Sequence, residues 1–190
     1  MIPAWTMAGV LPPIRPQQPG HSTDRSPYEV GLCELVEQFA FTPERAFILR
    51  GFLDYRAALH GIGLASGFQW MNGSFMQDVE NHEIRAPNDV DVVTYFHLPT
   101  GDTQASLASK AGQLFNNTYV KQTYKVDAYP HVLGGAMDMR QVRQISYWYS
   151  MWSHRRDGLW KGFLQIDLKP DEDADARRIL SQKHPQETAK

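Results

Sequence analysis

The sequence predicts an α/β fold, in which a small mixed β-sheet has helices packed on one side. Segments 68–71 and 89–96 are short and rich in aromatic or β-branched residues, which is typical of strands. Two earlier segments begin with serine or threonine followed by proline, a start signal of helices. The chain has 190 residues, of which 42% are hydrophobic, so a single domain with a sizeable core is expected.

The N-terminal segment, residues 1–25, is predicted to be an extended proline-rich arm. Prolines at positions 3, 12, 13, 16 and 19 fix φ and lack an amide hydrogen, which disfavours a helix. Residues 26–170 are expected to form the globular domain. Residues 171–190 are expected to form a charged C-terminal tail with a short helix near 174–180. The arm is expected to pack on the domain through its apolar residues Ile2, Trp5, Val10, Leu11 and Ile14.

Two helices are predicted before the first strand. Ser26-Pro27 begins the first, because serine caps the amide groups of a helix and proline favours its first position, and this helix extends to about Phe39. Thr42-Pro43 begins the second in the same way, and this helix ends near His60. The candidate core residues of the second helix are Phe47, Leu49, Phe52, Leu53 and Leu59.

The second half of the chain is predicted to alternate between helices and strands. A helix begins at Asp102 or Thr103 and ends near Phe115. Residues 119–132 hold a strand around Asp127, residues 138–152 form an aromatic-rich helix, and residues 156–158 form a turn. Residues 159–168 alternate between apolar and polar side chains, as a half-buried strand does.

Two motifs indicate the chemistry. Gly73-Ser74 follows the strand of residues 68–71, and a glycine there lets backbone amides approach a phosphate closely. Asp89 and Asp91 lie two residues apart in the next strand, so they point to the same face. Adjacent carboxylates repel each other, and a hard divalent cation such as Mg²⁺ relieves that repulsion. Together the motifs predict metal-dependent phosphoryl or nucleotidyl transfer.

A Gly-Ser turn after a strand, an Asp-x-Asp strand and a lone Asp on a later strand resemble the signature of the polymerase β-like nucleotidyltransferase superfamily. The lone aspartate here is Asp127, in the segment YKVDAY at 124–129. The segments GVLPP at 9–13, WMNGSF at 70–75 and RDGLWKG at 156–162 resemble a small bacterial nucleotidyltransferase-like family. This resemblance covers most of residues 8–168. The 14 residues between Ser74 and Asp89 exceed the usual connection and predict a loop around residues 80–87.

The resemblance implies a polymerase β-like nucleotidyltransferase fold and an enzyme that moves a nucleoside monophosphate from an NTP, such as ATP, to a hydroxyl group. Asp89, Asp91 and Asp127 would be catalytic and would bind Mg²⁺ or Mn²⁺. The acceptor would be RNA, protein or a small molecule, and a partner protein or second subunit would complete its binding surface. Some members of the superfamily belong to toxin–antitoxin or antiviral defence systems. The alternatives are a non-catalytic nucleotide-binding or partner-binding module and a phosphohydrolase.

The third carboxylate and the serine each have two interpretations. Asp167 competes with Asp127, but Asp127 follows the Asp-x-Asp strand in the order that the superfamily uses. Asp167 is expected to lie on a solvated face near Lys169. Ser74 either contacts a phosphate or caps the segment that begins at Phe75, and the two roles are compatible.

The basic and aromatic residues after position 138 also have two interpretations. Arg156 and Lys161 are candidates for nucleotide binding through the phosphates, together with Arg155, although a charged hairpin tip is the plainer explanation. Arg140 and Arg143 are likewise either phosphate contacts or ordinary exposed charges. The aromatic residues of the helix over 138–152 either stack on a base or fill the core, and core packing is the commoner role: Tyr147, Trp148, Tyr149 and Trp152.

Composition narrows the class of protein further. The net charge of −2 and the pI of about 6.4 do not favour strong nonspecific binding to nucleic acid. A single cysteine, Cys33, excludes an intramolecular disulfide and is expected to be a small core residue, not a nucleophile. No apolar run is long enough to span a membrane, and the N-terminus lacks the features of a signal peptide. A cytoplasmic location is therefore expected.

Overall fold

The computed structural model describes residues 1–185 and contains seven α-helices and five strands in that part of the chain. The helices are α1 (Leu32–Phe39), α2 (Pro43–Gly61), α3 (Val79–His82), α4 (Gln104–Ala111), α5 (Asn117–Tyr124), α6 (Met139–Trp152) and α7 (Asp173–Lys183). The strands are β1 (Tyr28–Glu29), β2 (Gly67–Asn72), β3 (Val90–Phe96), β4 (Val126–Val132) and β5 (Leu164–Asp167).

The five strands form one mixed sheet in the order β1-β5-β2-β3-β4. β2 is antiparallel to both β3 and β5, whereas β3 and β4 are parallel. The register of the three central strands places Asn72 opposite Asp91, and Asp91 opposite Asp127. The predicted α/β fold with a small mixed sheet is thereby confirmed.

The two faces of the sheet are covered unequally. Helices α1, α2, α5 and α7 contact one another and cover the larger hydrophobic core, which includes Val92 and Phe96 of β3. The alternate residues of β3, Val93 and Tyr95, point to the opposite face and belong to a second cluster with Trp148 of α6. Most helices therefore lie on one side, as predicted, but α6 lies on the other, next to the Asp-x-Asp motif.

The N-terminal arm has no helix and packs on the domain, as predicted. Ile2, Val10 and Leu11 are buried, and the Trp5 indole donates a hydrogen bond to the Met76 carbonyl at 2.9 Å. The Leu11 carbonyl accepts from the Gly162 amide at 2.7 Å. The arm thus joins residues that follow the Gly73 turn to the segment that precedes β5.

The first helix begins later than the sequence predicts. Ser26 caps no helix; its hydroxyl accepts a hydrogen bond from the Phe163 amide at 2.8 Å. Tyr28–Glu29 instead pairs with the edge of β5, which satisfies backbone groups that a helix would otherwise use. Helix α1 starts after Gly31, and the Glu172 carboxylate accepts a hydrogen bond from the Cys33 amide in its first turn.

The second helix matches its prediction closely. Thr42 caps α2 by accepting a hydrogen bond from the Arg45 amide at 3.2 Å, and Pro43 occupies the first helical position. Phe47 was wrongly predicted to be in the core, because it is 58% exposed. The other four candidate core residues of this helix, Leu49, Phe52, Leu53 and Leu59, are buried.

A helix was missed before β4. The preceding helical region ends at Phe115, and the side chain of the next residue, Asn116, caps α5 by accepting a hydrogen bond from the Tyr119 amide at 3.0 Å. Lys125 then ends α5 with a φ of +58°, and the strand begins at Val126. The β-branched and aromatic residues of α5 favour a strand locally, but the cap and the packing of Val120 in the core favour the helix.

Two further segments differ in extent from their predictions. β5 is confined to Leu164–Asp167, because residues 159–163 lead into the sheet from the turn that follows α6. Within the predicted tail, Asp173–Lys183 forms α7, which packs on α1 and α2 through Ala176 and Leu180. The last part of the predicted tail, residues 186–190, lies outside the described residues. None of the helices within residues 1–185 combines the length and apolar character needed to cross a membrane.

Candidate active site

The sheet brings the three predicted aspartates together at one end of β3 and β4. Asp91 and Asp127 are register partners on parallel neighbouring strands, which are spaced about 4.8 Å apart. Asp89 immediately precedes β3 and lies two residues before Asp91. The spacing predicted from the sequence therefore places all three carboxyl groups near one another.

Helix α5 supplies partners for two of these carboxylates. The Lys121 ammonium lies 2.8 Å from Asp89 Oδ2 and 2.7 Å from Asp127 Oδ2. Asn117, one turn earlier, donates a hydrogen bond to Asp127 Oδ1 at 2.5 Å. Burial raises the pKa of Asp127, but the hydrogen bonds from Lys121 and Asn117 outweigh burial and hold the pKa below its usual value. Asp89 and Asp127 are therefore charge-compensated within the protein.

Asp91 is different from its two neighbours. Its carboxylate is partly buried, and no hydrogen bond from residues 1–185 reaches it. Burial raises the pKa of Asp91 to about 6, and repulsion from Asp127 and Asp89 acts in the same direction. A partly buried carboxylate that has no hydrogen-bonding partner is suited to accept a proton or to contact a cationic ligand.

Gly73 is required by the position of Asp91. The backbone of Gly73 has a φ of +83°, and a Cβ atom there would lie 1.7 Å from Asp91 Oδ2. The turn continues into the short 3-10 helix Ser74–Met76, for which Gly73 is the capping residue. Ser74 makes no side-chain capping bond, so its predicted capping role is wrong.

The Gly73 turn and Asp91 lie in a cleft of about 590 Å³. Lys161 is buried at 7% exposure in its wall and donates a hydrogen bond to Asn72 Oδ1 at 2.8 Å. Burial lowers the pKa of Lys161 to about 8, although Asp91 acts in the opposite direction. Asn72 is fixed in turn by donating to the Trp152 carbonyl at 3.0 Å. The cleft thus combines an unpaired carboxylate with a buried amine.

Four lysine or arginine side chains and three carboxylates line the cleft. Arg155 and Arg156 line it at the start of the turn that was predicted over residues 156–158. Arg155 lies 3.2 Å from the Asp157 carboxylate, whereas Arg156 is exposed and pairs with no acidic side chain in the part of the chain that the structure describes. All four residues predicted to bind nucleotide line this cleft: Gly73, Ser74, Arg156 and Lys161.

The carboxylates fit a divalent cation only in part. Hard oxygen ligands are present, and Asp91 has no hydrogen-bonding partner in the described part of the chain, which favours a cation beside it. Within residues 1–185, however, no three His, Cys, Asp or Glu side chains form a group that could hold a metal ion. Lys121 binds the carboxylates of Asp89 and Asp127 in its place.

Other candidate residues lie outside the cleft. Asp167 is opposite Phe68, at the far end of β2 from Asn72, and it is exposed beside Lys169 at 3.5 Å, as predicted. Arg140 and Arg143 are exposed in the first turns of α6 and do not line the cleft. Cys33 is partly buried against the core, and burial raises the pKa of its thiol, which disfavours nucleophilic chemistry.

Three residues of the site were missed from the sequence. Lys121 was assigned to the strand region of residues 119–132, and Asn117 was placed between that region and the preceding helix. The Asn116 cap and the spacing of four residues would have placed both on one face of a helix. Asn72 was treated as part of the strand end. Its position next to Gly73 was the signal available in the sequence. The structure shows that Asn72 is the register partner of Asp91.

The protein belongs to a family of unknown function, DUF6932, which matches residues 3–167. The matched region contains β1 to β5 and every residue of the cleft. No curated protein and no solved structure matches the chain significantly.

Proposed function

We propose that the protein is a metal-dependent nucleotidyltransferase that moves a nucleoside monophosphate from an NTP to an acceptor hydroxyl. The observation that carries the proposal is the Asp91 carboxylate, which lies against the Gly73 turn in a cleft that Lys161 and Arg156 also line, and which has no partner within residues 1–185. A structural carboxylate in this position would be paired, as Asp127 is. Ionising the Asp91 carboxyl group instead costs free energy, and a bound cation would remove that cost.

The cleft walls suit the phosphates of a nucleotide. The Gly73 turn presents backbone without a side chain, and the Ser74 hydroxyl makes no capping bond that a phosphate would have to displace. Lys161 and Arg156 supply positive charge to the lining of the cleft, and Arg156 has no competing ion pair in the described chain. Phosphoryl transfer depends mainly on such positioning and charge neutralisation, because it needs little covalent participation by the protein.

Asp91 and Asp89 are the residues that would hold Mg²⁺ or Mn²⁺, with phosphate oxygens as the remaining ligands. Mg²⁺ commonly binds through one or two carboxylates together with substrate phosphates, so a third protein carboxylate is not required. A bound divalent cation supplies activation of the attacking hydroxyl and stabilisation of the leaving pyrophosphate. Asp127 joins this set only if Lys121 releases it, since Lys121 and Asn117 occupy both of its oxygens.

One observation favours the alternative, a nucleotide-binding module without catalysis. Lys121 neutralises Asp89 and Asp127 as a cation would, and hydrogen bonds to both carboxylates raise the pKa of its ammonium. A site that is neutralised by its own lysine binds phosphates without needing two metal ions. The two functions differ in whether the α-phosphate is transferred.

The deciding experiment follows the α-phosphate of labelled NTPs. Protein, Mg²⁺ or Mn²⁺ and each of the four α-labelled NTPs are incubated with mixed RNA, protein and small-molecule acceptors. Nucleotidyl transfer labels an acceptor and releases pyrophosphate, and Asp91→Asn abolishes both signals. Release of small products without acceptor labelling indicates hydrolysis. NTP binding without either signal supports the non-catalytic module and refutes the enzyme.

A further inference from the structure

Helix α6 exposes most of its surface although it lies beside the candidate active site. Only Trp148 and Trp152 of its 14 residues are buried. On one flank, Arg140, Arg143, Tyr147 and Met151 follow one another at intervals of three or four residues, so they lie along a single side of the helix. We call these four residues the α6 stripe. A helix flank that exposes two arginines followed by a tyrosine and a methionine is not explained by packing.

The α6 stripe leads into the cleft. Met151, at its C-terminal end, lines the same cleft as Asp91, and Arg156 continues the basic surface beyond it. Trp160, 59% exposed, lies beside His154 with the ring centroids 4.8 Å apart, at the edge of the cleft. A chain that lay along the stripe would therefore reach the Asp91 carboxylate with one end.

The arginines of the stripe have no acidic partner of their own. Arg140 and Arg143 form no ion pair and no side-chain hydrogen bond within residues 1–185, and both are exposed. By contrast, two arginines of α7, the half-buried Arg177 and the exposed Arg178, each contact an aspartate, at 2.7 and 2.9 Å. The unpaired charge on α6 is complementary to an extended polyanion.

We propose that the α6 stripe binds a single-stranded nucleic acid and directs its terminal hydroxyl into the cleft as the acceptor. The inference rests on the proposed nucleotidyl transfer and names its acceptor class. Arginines three residues apart would contact successive phosphates, while Tyr147, which is 59% exposed, would stack on a base. Binding of this kind tracks the backbone without reading the sequence, so it needs local charge rather than a basic protein overall.

The test is direct binding, measured by fluorescence anisotropy with labelled oligonucleotides of about 12 nucleotides, within the usual range of single-strand site sizes. RNA and DNA strands of the same sequence form the two arms, since both carry the shared chemistry. Each strand is tested with the unmodified full chain and, separately, with its Asp91→Asn variant, so that strand binding is observed whether or not transfer occurs. Binding of neither strand refutes the acceptor proposal and leaves the transfer assay to decide the enzyme.

Variants locate the binding surface. Arg140→Gln with Arg143→Gln is expected to weaken binding and to lower the salt dependence of log K by about 0.7 for each lost phosphate contact. Tyr147→Ala is expected to weaken binding about tenfold at all salt concentrations through lost stacking. The matched control is Arg177→Gln with Arg178→Gln, which changes the net charge equally on another helix and is expected to bind as the parent does. Equal losses in both double variants, or none in the α6 variant, would overturn the proposal.

Discussion

Arg56 and Asp91 are charged side chains at opposite ends of the sheet, and the protein treats them in opposite ways. Arg56 is completely buried, yet its guanidinium contacts the Asp173 carboxylate at 2.7 Å, the Gln69 side chain at 2.8 Å and the Lys169 carbonyl at 2.8 Å. Asp91 is less buried but has no hydrogen-bonding partner within residues 1–185. Arg56, the more deeply buried of the two charged groups, is therefore the one whose hydrogen-bonding groups are paired.

This contrast separates structural charges from functional ones. Arg45 resembles Arg56, because its guanidinium contacts the Glu80 carboxylate and the carbonyls of Phe75 and Gln77 at 2.5 to 2.8 Å. It thereby fixes the segment that follows Gly73. A protein that satisfies two buried arginines so fully leaves Asp91 unpaired at a cost, and that cost is expected where a ligand is bound.

Arg56→Met tests the structural side of the comparison and should have the largest effect. Removing the guanidinium leaves the Asp173 carboxylate with only the His60 imidazole beside it and takes the donor from the Asp167 and Lys169 carbonyls, so the free energy of unfolding should fall by about 3–5 kcal/mol. Urea unfolding followed by circular dichroism measures the change. Arg177→Met, which breaks an exposed pair with Asp54, is the control and should lose no more than about 1 kcal/mol. Equal losses would show that Arg56 is not the structural centre inferred here.

Gly73→Val tests how closely the turn and Asp91 depend on each other. The new side chain would meet Asp91 Oδ2 and would also adopt a positive φ, so we expect a loss of stability of about 1–3 kcal/mol and no Mg²⁺-dependent NTP binding by calorimetry. Gly101→Val has a similar φ of +86° but open space around its Cβ atom, so it should share the strain and retain binding. A folded Gly73→Val protein that binds NTP normally would show that the turn is only a chain reversal.

Asp91→Asn should raise the free energy of unfolding, whereas most substitutions lower it. Because the folded state raises the pKa of Asp91 from 3.8 to about 6, ionisation of this group destabilises the protein as pH rises through that range. The amide removes this cost, so metal-free Asp91→Asn should be more stable than the parent by about 1–3 kcal/mol at pH 8, and the difference should shrink toward pH 4.

Asp127→Asn is the matched control for this pH dependence. The pKa of Asp127 is lowered in the folded state, so its stabilising contribution is present at neutral pH and is lost as pH falls. Its replacement should therefore destabilise the protein at pH 8. Thermal unfolding across pH measures both variants, and a loss of stability in Asp91→Asn at pH 8 would mark Asp91 as a structural residue.

The sequence predicted the central part of this arrangement because that part is local. The Gly73 turn, the Asp-x-Asp spacing and the cap of α2 each depend on a few consecutive residues, and all of them are present in the structure. The register of β3 and β4 then brings Asp127 to Asp91, which follows once the strand order is known. Whether these residues bind metal and nucleotide stays a prediction.

What could not be predicted depends on tertiary contacts. Ser26 carries a helix-start signal, but pairing of the next residues with β5 uses the same backbone groups. The residues of α5 favour a strand, and the Asn116 cap acts together with packing against α2 and β4 to make them helical. Lys121 therefore could not be placed at the carboxylates. A charge pattern alone does not show that one aspartate is left unpaired while two share a lysine.

Ser74→Ala should have the smallest effect and falls on the functional side of the comparison. Because the Ser74 hydroxyl makes no capping bond, its removal should leave the free energy of unfolding nearly unchanged. NTP affinity should fall by about 1–3 kcal/mol, since a hydrogen bond to a charged phosphate is lost. Calorimetry of Mg²⁺-dependent binding and urea unfolding separate the two quantities. Thr42→Ala, which removes a true helix cap, should show the reverse pattern, with lower stability and unchanged affinity. If Ser74→Ala instead lost stability and kept its affinity, the hydroxyl would be structural, and the Gly73 backbone alone would have to carry the phosphate contact.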